Sequence, residues 1–149
     1  MTALPLTTLL VLWAVFIQGL IPLMILFYLR SVRVEAFKNG EVKPEARYDP
    51  SAWPEKARTV ANAYANQFEL PVLFYVAMLM ALMFGQTGWV MVILSWVFVI
   101  TRIVHAFIHV TNNTIRYRFR FFLAGVATLI TIWIYLALAI TLGGAPMPL

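Results

Sequence analysis

The sequence predicts an all-α integral membrane protein, a four-helix transmembrane bundle formed by a single domain of 149 residues. Three observations lead there. Hydrophobic residues make up 62% of the chain and charged residues 11%, whereas soluble domains carry about 25% charged and 45–50% apolar residues. The apolar residues are gathered into runs, most of them long enough to cross a bilayer core, which takes about 20 residues. Lys and Arg lie in the short segments between those runs. The net charge of +5 therefore reads as membrane topology and gives no reason to expect a nucleic-acid partner.

The first helix is expected over residues 6–29, an apolar stretch interrupted by Thr7, Thr8, Gln18, Gly19 and Pro22 and ended by Arg30 and Arg33. A polar loop follows over 30–58, with Asn39-Gly40 as a turn signal and Pro44, Pro50 and Pro54 as helix breakers. Residues 70–84 are too few to cross alone, so the second helix is extended back over 61–84, which carries Asn62, Asn66 and Glu69 into the bundle. The third helix is expected over 89–110, joined to the second by the tight connection 85–88. The fourth runs over 121–142 and is ended by Gly143-Gly144 and two prolines. Residues 1–5 carry no side-chain charge and no small-residue cleavage site follows, so the first apolar run is expected to persist as a helix.

Loop charge sets the orientation. The first loop holds Arg30, Arg33, Lys38, Lys43, Arg47, Lys56 and Arg58, and the third holds Arg116, Arg118 and Arg120, while the second loop and both tails hold neither Lys nor Arg. The positive-inside rule then places the two basic loops in the cytoplasm and both termini outside, in an inner (cytoplasmic) membrane. The chain has no cysteine, which excludes disulfides, a cysteine nucleophile and thiolate-ligated metals.

Two polar stripes mark the candidate site. Arg58, Asn62, Asn66 and Glu69 recur at intervals of three and four, and so share one face of the second helix. Arg102, His105, His109, Asn112 and Arg116 do the same on the third. Counting from the 85–88 connection at 1.5 Å per residue puts Glu69 about 24 Å and His105 about 25 Å from the tip, at matching depth. Ionisable groups in a membrane face the bundle interior or a wet cavity and find partners, and Glu69 with Arg102 is the expected ion pair. One reading is that these groups satisfy one another and fix helix register. The other is a polar cleft for an anionic or zwitterionic small molecule, with Arg102, Arg116, Arg30 and Arg33 pairing carboxylates, Asn66 and Glu69 receiving amides or an ammonium, and Tyr75 as a wall. His105 and His109 one turn apart, with Glu69 opposite, also form a partial metal-ligand pattern, but no third histidine completes it and no metal is expected. Pro71 is expected to kink the second helix and free carbonyls at the polar level, or simply to aid packing. Tyr117 and Arg118 to Arg120 read as headgroup anchors.

With these residues in place, the chain resembles a bacterial member of the MAPEG family, the membrane-associated proteins in eicosanoid and glutathione metabolism, across nearly its whole length. The resemblance is carried by Asn66-Gln67-Phe68-Glu69-Leu70-Pro71 opening the second helix, by Arg102, His105, His109 and Arg116 along the third, and by Phe122 and Gly125. It implies a homotrimer of four-helix bundles with glutathione as cosubstrate, bound near the cytoplasmic face between neighbouring subunits. It also implies that Arg116 stabilises the glutathione thiolate, that Asn66 and Glu69 hold the peptide, and that Arg102, His105, His109 and either Arg30 or Arg33 lie in or near the site. Asn62 stands where better-known animal members carry an arginine, and His105 and His109 where they carry tyrosines. The expected function is a membrane-bound glutathione-dependent transferase or peroxidase acting on lipophilic electrophiles that partition from membrane lipid. The alternatives are a non-enzymatic binding or assembly protein that keeps this fold, and a lipid-active enzyme with His105 as general base.

Overall fold

The structure, a computed structural model, describes residues 3–142; the expected stop at Gly143-Gly144 lies outside them. Helix α1 spans Leu6–Lys38. Short 3₁₀ turns at Pro44–Arg47 and Pro50–Ala52 lead to α2, Glu55–Ala65, a further 3₁₀ turn at Asn66–Phe68 and α3, Leu70–Met83. Helices α4, Trp89–Val110, and α5, Ile115–Leu142, complete the chain. Four segments are long and apolar enough to cross a membrane: α1, the α2–α3 pair, α4 and α5. The protein is thus a multi-pass membrane protein whose exterior is apolar, with Phe27 71% and Phe107 65% exposed.

Helix α4 is the central one. It packs against α5, α1 and α2, and half of its apolar window is buried, more than in any other span. One apolar cluster fills the bundle towards the 85–88 end, built on Val11, Ala14, Ala77, Met78, Val99 and Ile132 around Phe74 stacked on Phe98 with ring centres 4.5 Å apart. There the start of α1 is tied down by Thr8 Oγ1 on Thr87 Oγ1 at 2.8 Å and by Trp96 Nε1 donating to the Leu10 carbonyl at 3.2 Å. A second cluster, with Ile21, Ile25, Leu29, Val32, Ala57, Val60 and Ala106, fills the end where the basic loops lie.

Three helix boundaries differ from the sequence expectation, and one reason covers them. Polarity marks where a helix leaves hydrocarbon, whereas caps, prolines and packing decide where it ends. Helix α1 continues past residue 29 because its buried stripe Ile21, Ile25, Leu29, Val32, Ala36 keeps the helical period, while Arg30 and Arg33 face outward. It finally stops at Asn39 and Gly40, whose φ is +69°. The second span starts at Glu55, directly after Pro54, six residues before the expected 61, because Ala57, Val60 and Ala63 bury against α1 and α4. Helix α5 starts at Ile115, well before 121, and carries its arginines on its first turns.

Gly125 lets α5 lie close against α4: a Cβ placed there would lie 3.1 Å from Thr101 Oγ1. That hydroxyl is held on the Phe98 carbonyl at 2.6 Å and has no room to retreat. Gly125→Val should therefore destabilise the bundle by about 1–3 kcal/mol through overpacking. Thermal unfolding in detergent should show a lowered Tm that Thr101→Ala, added to the same chain, partly restores; an unchanged Tm for Gly125→Val would contradict this close contact.

Candidate functional site at the basic end

The site is built on a break in the second span. Pro71 has no N–H to give the Gln67 carbonyl, and its ring clashes with that turn. The helix opens at Asn66–Phe68 and restarts after Glu69, whose φ and ψ are −101° and −102°. Two carbonyls near the break accept from side chains. Gln67 Nε2 donates to Ala63 O at 3.1 Å, and Arg102 Nη2 donates to Asn66 O at 3.3 Å. Neither is the Gln67 carbonyl that faces Pro71; both belong to the turn around the break, and α4 supplies one of the donors.

The expected ion pair between Glu69 and Arg102 is not formed. Among the described residues the one ion pair is Lys56–Glu35 at 3.6 Å. Glu69 is exposed and is felt by Arg102 only as a nearby charge. Arg102 is 1% exposed, and its guanidinium is turned to the Asn66 carbonyl because the helix break brings that acceptor inward. Its Nε and Nη1 have no partner.

Glu69 and His105 do share a recess, as their equal depth implied. It has a volume of about 240 Å³ and is lined by Asn66, Glu69, His105, Ile115, Arg118, Phe119 and Phe122. His105 is 3% exposed, with Nδ1 3.0 Å from the Arg118 carbonyl. A carbonyl oxygen only accepts, so Nδ1 carries the proton and Nε2 is left with a lone pair and no partner. His109 Nδ1 accepts from Asn66 Nδ2 at 3.5 Å, and its ring meets that of His105 edge-on. No three His, Asp or Glu side chains come together as a metal site among the described residues.

The other expected residues lie elsewhere in a single chain. Asn62 and Arg33 line a separate recess of about 230 Å³ with Arg58 and Trp53. Arg30 belongs to a shallow groove on α1 with Ser31 and Lys38. Arg116 is exposed on α5 and lines neither recess. Arg118, read from sequence as a headgroup anchor, instead walls the Glu69 recess, with Phe119 and Phe122. It is oriented by Asn113, which accepts from Arg118 Nη1 at 2.6 Å and adopts a left-handed φ of +48° in the α4–α5 turn. The paired asparagines Asn112-Asn113 were the available sign of such a turn.

Two predictions follow from this geometry. Asn113→Val should lower stability by about 1–2 kcal/mol, because a β-branched residue is strained in the left-handed region, whereas Asn113→Gly should keep the turn and release only the Arg118 side chain; denaturation of the two variants in detergent separates strain from lost hydrogen bond. In the first loop, the Ser51 hydroxyl and then the Ser51 amide, at 2.7 and 2.8 Å, hold the Asp49 carboxyl below its ordinary 3.8. A depressed carboxylate stabilises its turn above the unfolded pKa and loses that contribution as pH falls through the folded one. The Ser51 amide resonance should therefore shift on acidification below 3.8, and Asp49→Asn should abolish that step.

A four-span bundle with a polar site framed by a broken second span and a histidine-bearing third defines a class of small polytopic membrane proteins. The MAPEG family model matches residues 7–138, nearly the whole described chain, and the protein belongs to the MAPEG family. Neither a curated protein nor a solved structure matches. The family is one of glutathione-related membrane transferases and peroxidases.

Proposed function

We propose that the protein is a membrane-bound glutathione-dependent transferase or peroxidase acting on lipophilic electrophiles, assembled as a homotrimer in the inner membrane with the basic loops in the cytoplasm and both termini outside. The observation that carries this reading is the recess where Asn66, Glu69, His105 and Arg118 converge in a chain of this family. Asn66 and Glu69 offer an amide and a carboxylate to the peptide amides and ammonium of glutathione. Arg118, with Arg116 on the same helix, supplies positive charge that favours a thiolate over a thiol. The thiolate attacks the electrophile, the new bond is carbon–sulfur, and the leaving group departs into water at this end of the bundle. The apolar second substrate arrives through the lipid.

A volume of about 240 Å³ is below the roughly 300–1,000 Å³ of ligand pockets, so the recess of one chain is too small to enclose a tripeptide. That supports a site completed by a neighbouring copy, and it gives Arg116, Arg30 and Arg33, which stand outside the recess, a place as ligands from across a subunit boundary. Arg102 and His109 are assigned supporting positions around it, and Asn62, in the separate recess with Arg33, reaches the ligand only across the subunit boundary. A second reading, a binding or assembly protein without thiol chemistry, is favoured by the enclosure of Arg102 and His105, since side chains so buried fix register as readily as they meet substrate.

The test is the thermal stability of the detergent-purified protein with and without millimolar glutathione, because a ligand of the native state raises stability as RT ln(1 + [L]/Kd). A rise in the wild type that is lost in Glu69→Gln, together with thiol conjugation that falls at least tenfold in Arg118→Ala or Arg116→Ala, is the expected result. Effects confined to Arg118→Ala would make the recess of one chain sufficient, and effects confined to Arg116→Ala would require the subunit boundary. No stabilisation by glutathione in a folded wild type would move the assignment to the non-enzymatic reading.

A further inference from the structure

Helices α1 and α4 pack side by side, yet over the half nearer the basic end a groove stays open between them on the lipid side. It has a volume of about 470 Å³, inside the roughly 300–1,000 Å³ of ligand sites. The buried Ile21, Ile25 and Ala106 form its floor, and α2 backs that floor with Val60 and Ala63. The exposed Met24 and Phe107 stand as its walls. Every side chain that lines it is apolar except Tyr28, at the basic end. The groove is separate from the Glu69 recess, because Phe107 lies two positions after His105 and so about 200° round α4.

Length and width narrow the occupant. On α1 the groove reaches from Ile17 to Tyr28, about 17 Å along the helix. Ile17 lies at the middle of the apolar run 6–29 and Tyr28 at its basic end, so the groove covers one leaflet, half of a hydrocarbon core of about 30 Å. Spread over that length, about 470 Å³ leaves a mean section of about 28 Å², a width of roughly 6 Å. A helix of a second copy is about 10–12 Å across and does not enter. A single polymethylene chain, whose carbons meet their neighbours at about 4 Å, does. Seated there it touches protein on three sides and gains more close contacts than a chain on an open helix face. Tyr28 presents a hydroxyl at the hydrocarbon boundary, where the ester carbonyls of a phospholipid lie, and a tyrosine placed there keeps its ring apolar and its O–H paired.

We propose that the α1–α4 groove is a binding site for one acyl chain of a membrane glycerophospholipid, drawn from the leaflet at the basic end, with the Tyr28 hydroxyl donating to the ester carbonyl of that chain. The bound chain ties α1 to α4 along the half of the bundle that carries the polar layer. It uses none of the residues assigned to glutathione, and the proposal stands whether or not glutathione binds in the Glu69 recess.

Its test uses the full chain in phosphatidylcholine nanodiscs that carry a small fraction of phosphatidylcholine with a photoactivatable diazirine in one acyl chain. Peptide mass spectrometry should find adducts enriched at least about fivefold on the segments bearing Met24 and Phe107 over that bearing Ile130 and Ile134, which are exposed on α5. Native mass spectrometry of the delipidated protein, titrated with dipalmitoyl phosphatidylcholine, should show one lipid held per chain. Ala106→Leu, which raises the floor, should weaken that binding about tenfold. Should this variant fail to fold, Met24→Trp, at an exposed position, should narrow the groove and weaken it in the same direction. Tyr28→Phe should cost about three- to tenfold, the range of one hydrogen bond, with the diester lipid and nothing with its diether analogue, which has no ester carbonyl. The response to millimolar glutathione should be the same in Met24→Trp as in the wild type. Uniform labelling of all lipid-facing segments, binding indifferent to Ala106→Leu and Met24→Trp, or a groove left unlabelled because a second copy covers it would overturn the proposal.

Discussion

A backbone carbonyl left without a donor inside a bilayer costs several kcal/mol, because no water is there to replace the lost partner. Around the break before Pro71 the second span turns two such carbonyls to side-chain donors, and the arrangement of the basic end depends on those contacts. Arg102 reaches from α4 to the Asn66 carbonyl, and Gln67 folds back onto Ala63. The contact joins a broken helix to the central one. It also draws the guanidinium away from Glu69, which leaves that carboxylate at the rim of a recess, available to a ligand, when it would otherwise be consumed in an internal ion pair.

Around this contact the bundle is organised in layers. The first half of the buried face of α4 is mostly apolar, with Met91, Val92, Phe98 and Val99, and its one polar member, Ser95, donates to the Val92 carbonyl of its own helix. Its second half carries Arg102, His105 and His109 in the same register. The polar layer therefore lies on the most buried helix of the bundle. Two of its members meet Asn66 in the broken span, Arg102 through the carbonyl and His109 through the side chain, and His105 meets the Arg118 carbonyl of α5. Close approach of α5 at Gly125 brings the Arg118 carbonyl within reach of His105.

The basic end is not one positive surface. Its arginines are distributed by helix phase into a recess with a carboxylate and two aromatic rings, a recess with an indole and an amide, and exposed positions on α1 and α5. Groups of the same charge thus meet different chemistry.

The sequence by itself determined the membrane class, the four spans, the polar stripes of the second and third spans and, through the run from Asn66 to Pro71 with Arg102, His105 and His109, the MAPEG family. These are properties of hydrophobic run length and helical period, which act within one segment and are legible residue by residue. Helix ends were less legible, since Arg30, Arg33 and the arginines from 116 to 120 mark a change of solvent without breaking a helix. Only the tertiary structure decided that Arg102 prefers the Asn66 carbonyl to Glu69, that Arg118 walls the recess in place of Arg116, and that Arg33 and Asn62 belong to a different recess. Those choices turn on rotations and approaches between helices. A break at Pro71, a left-handed Asn113 and a missing side chain at Gly125 shift side chains by a few ångströms relative to one another, and one-dimensional spacing carries no record of that shift.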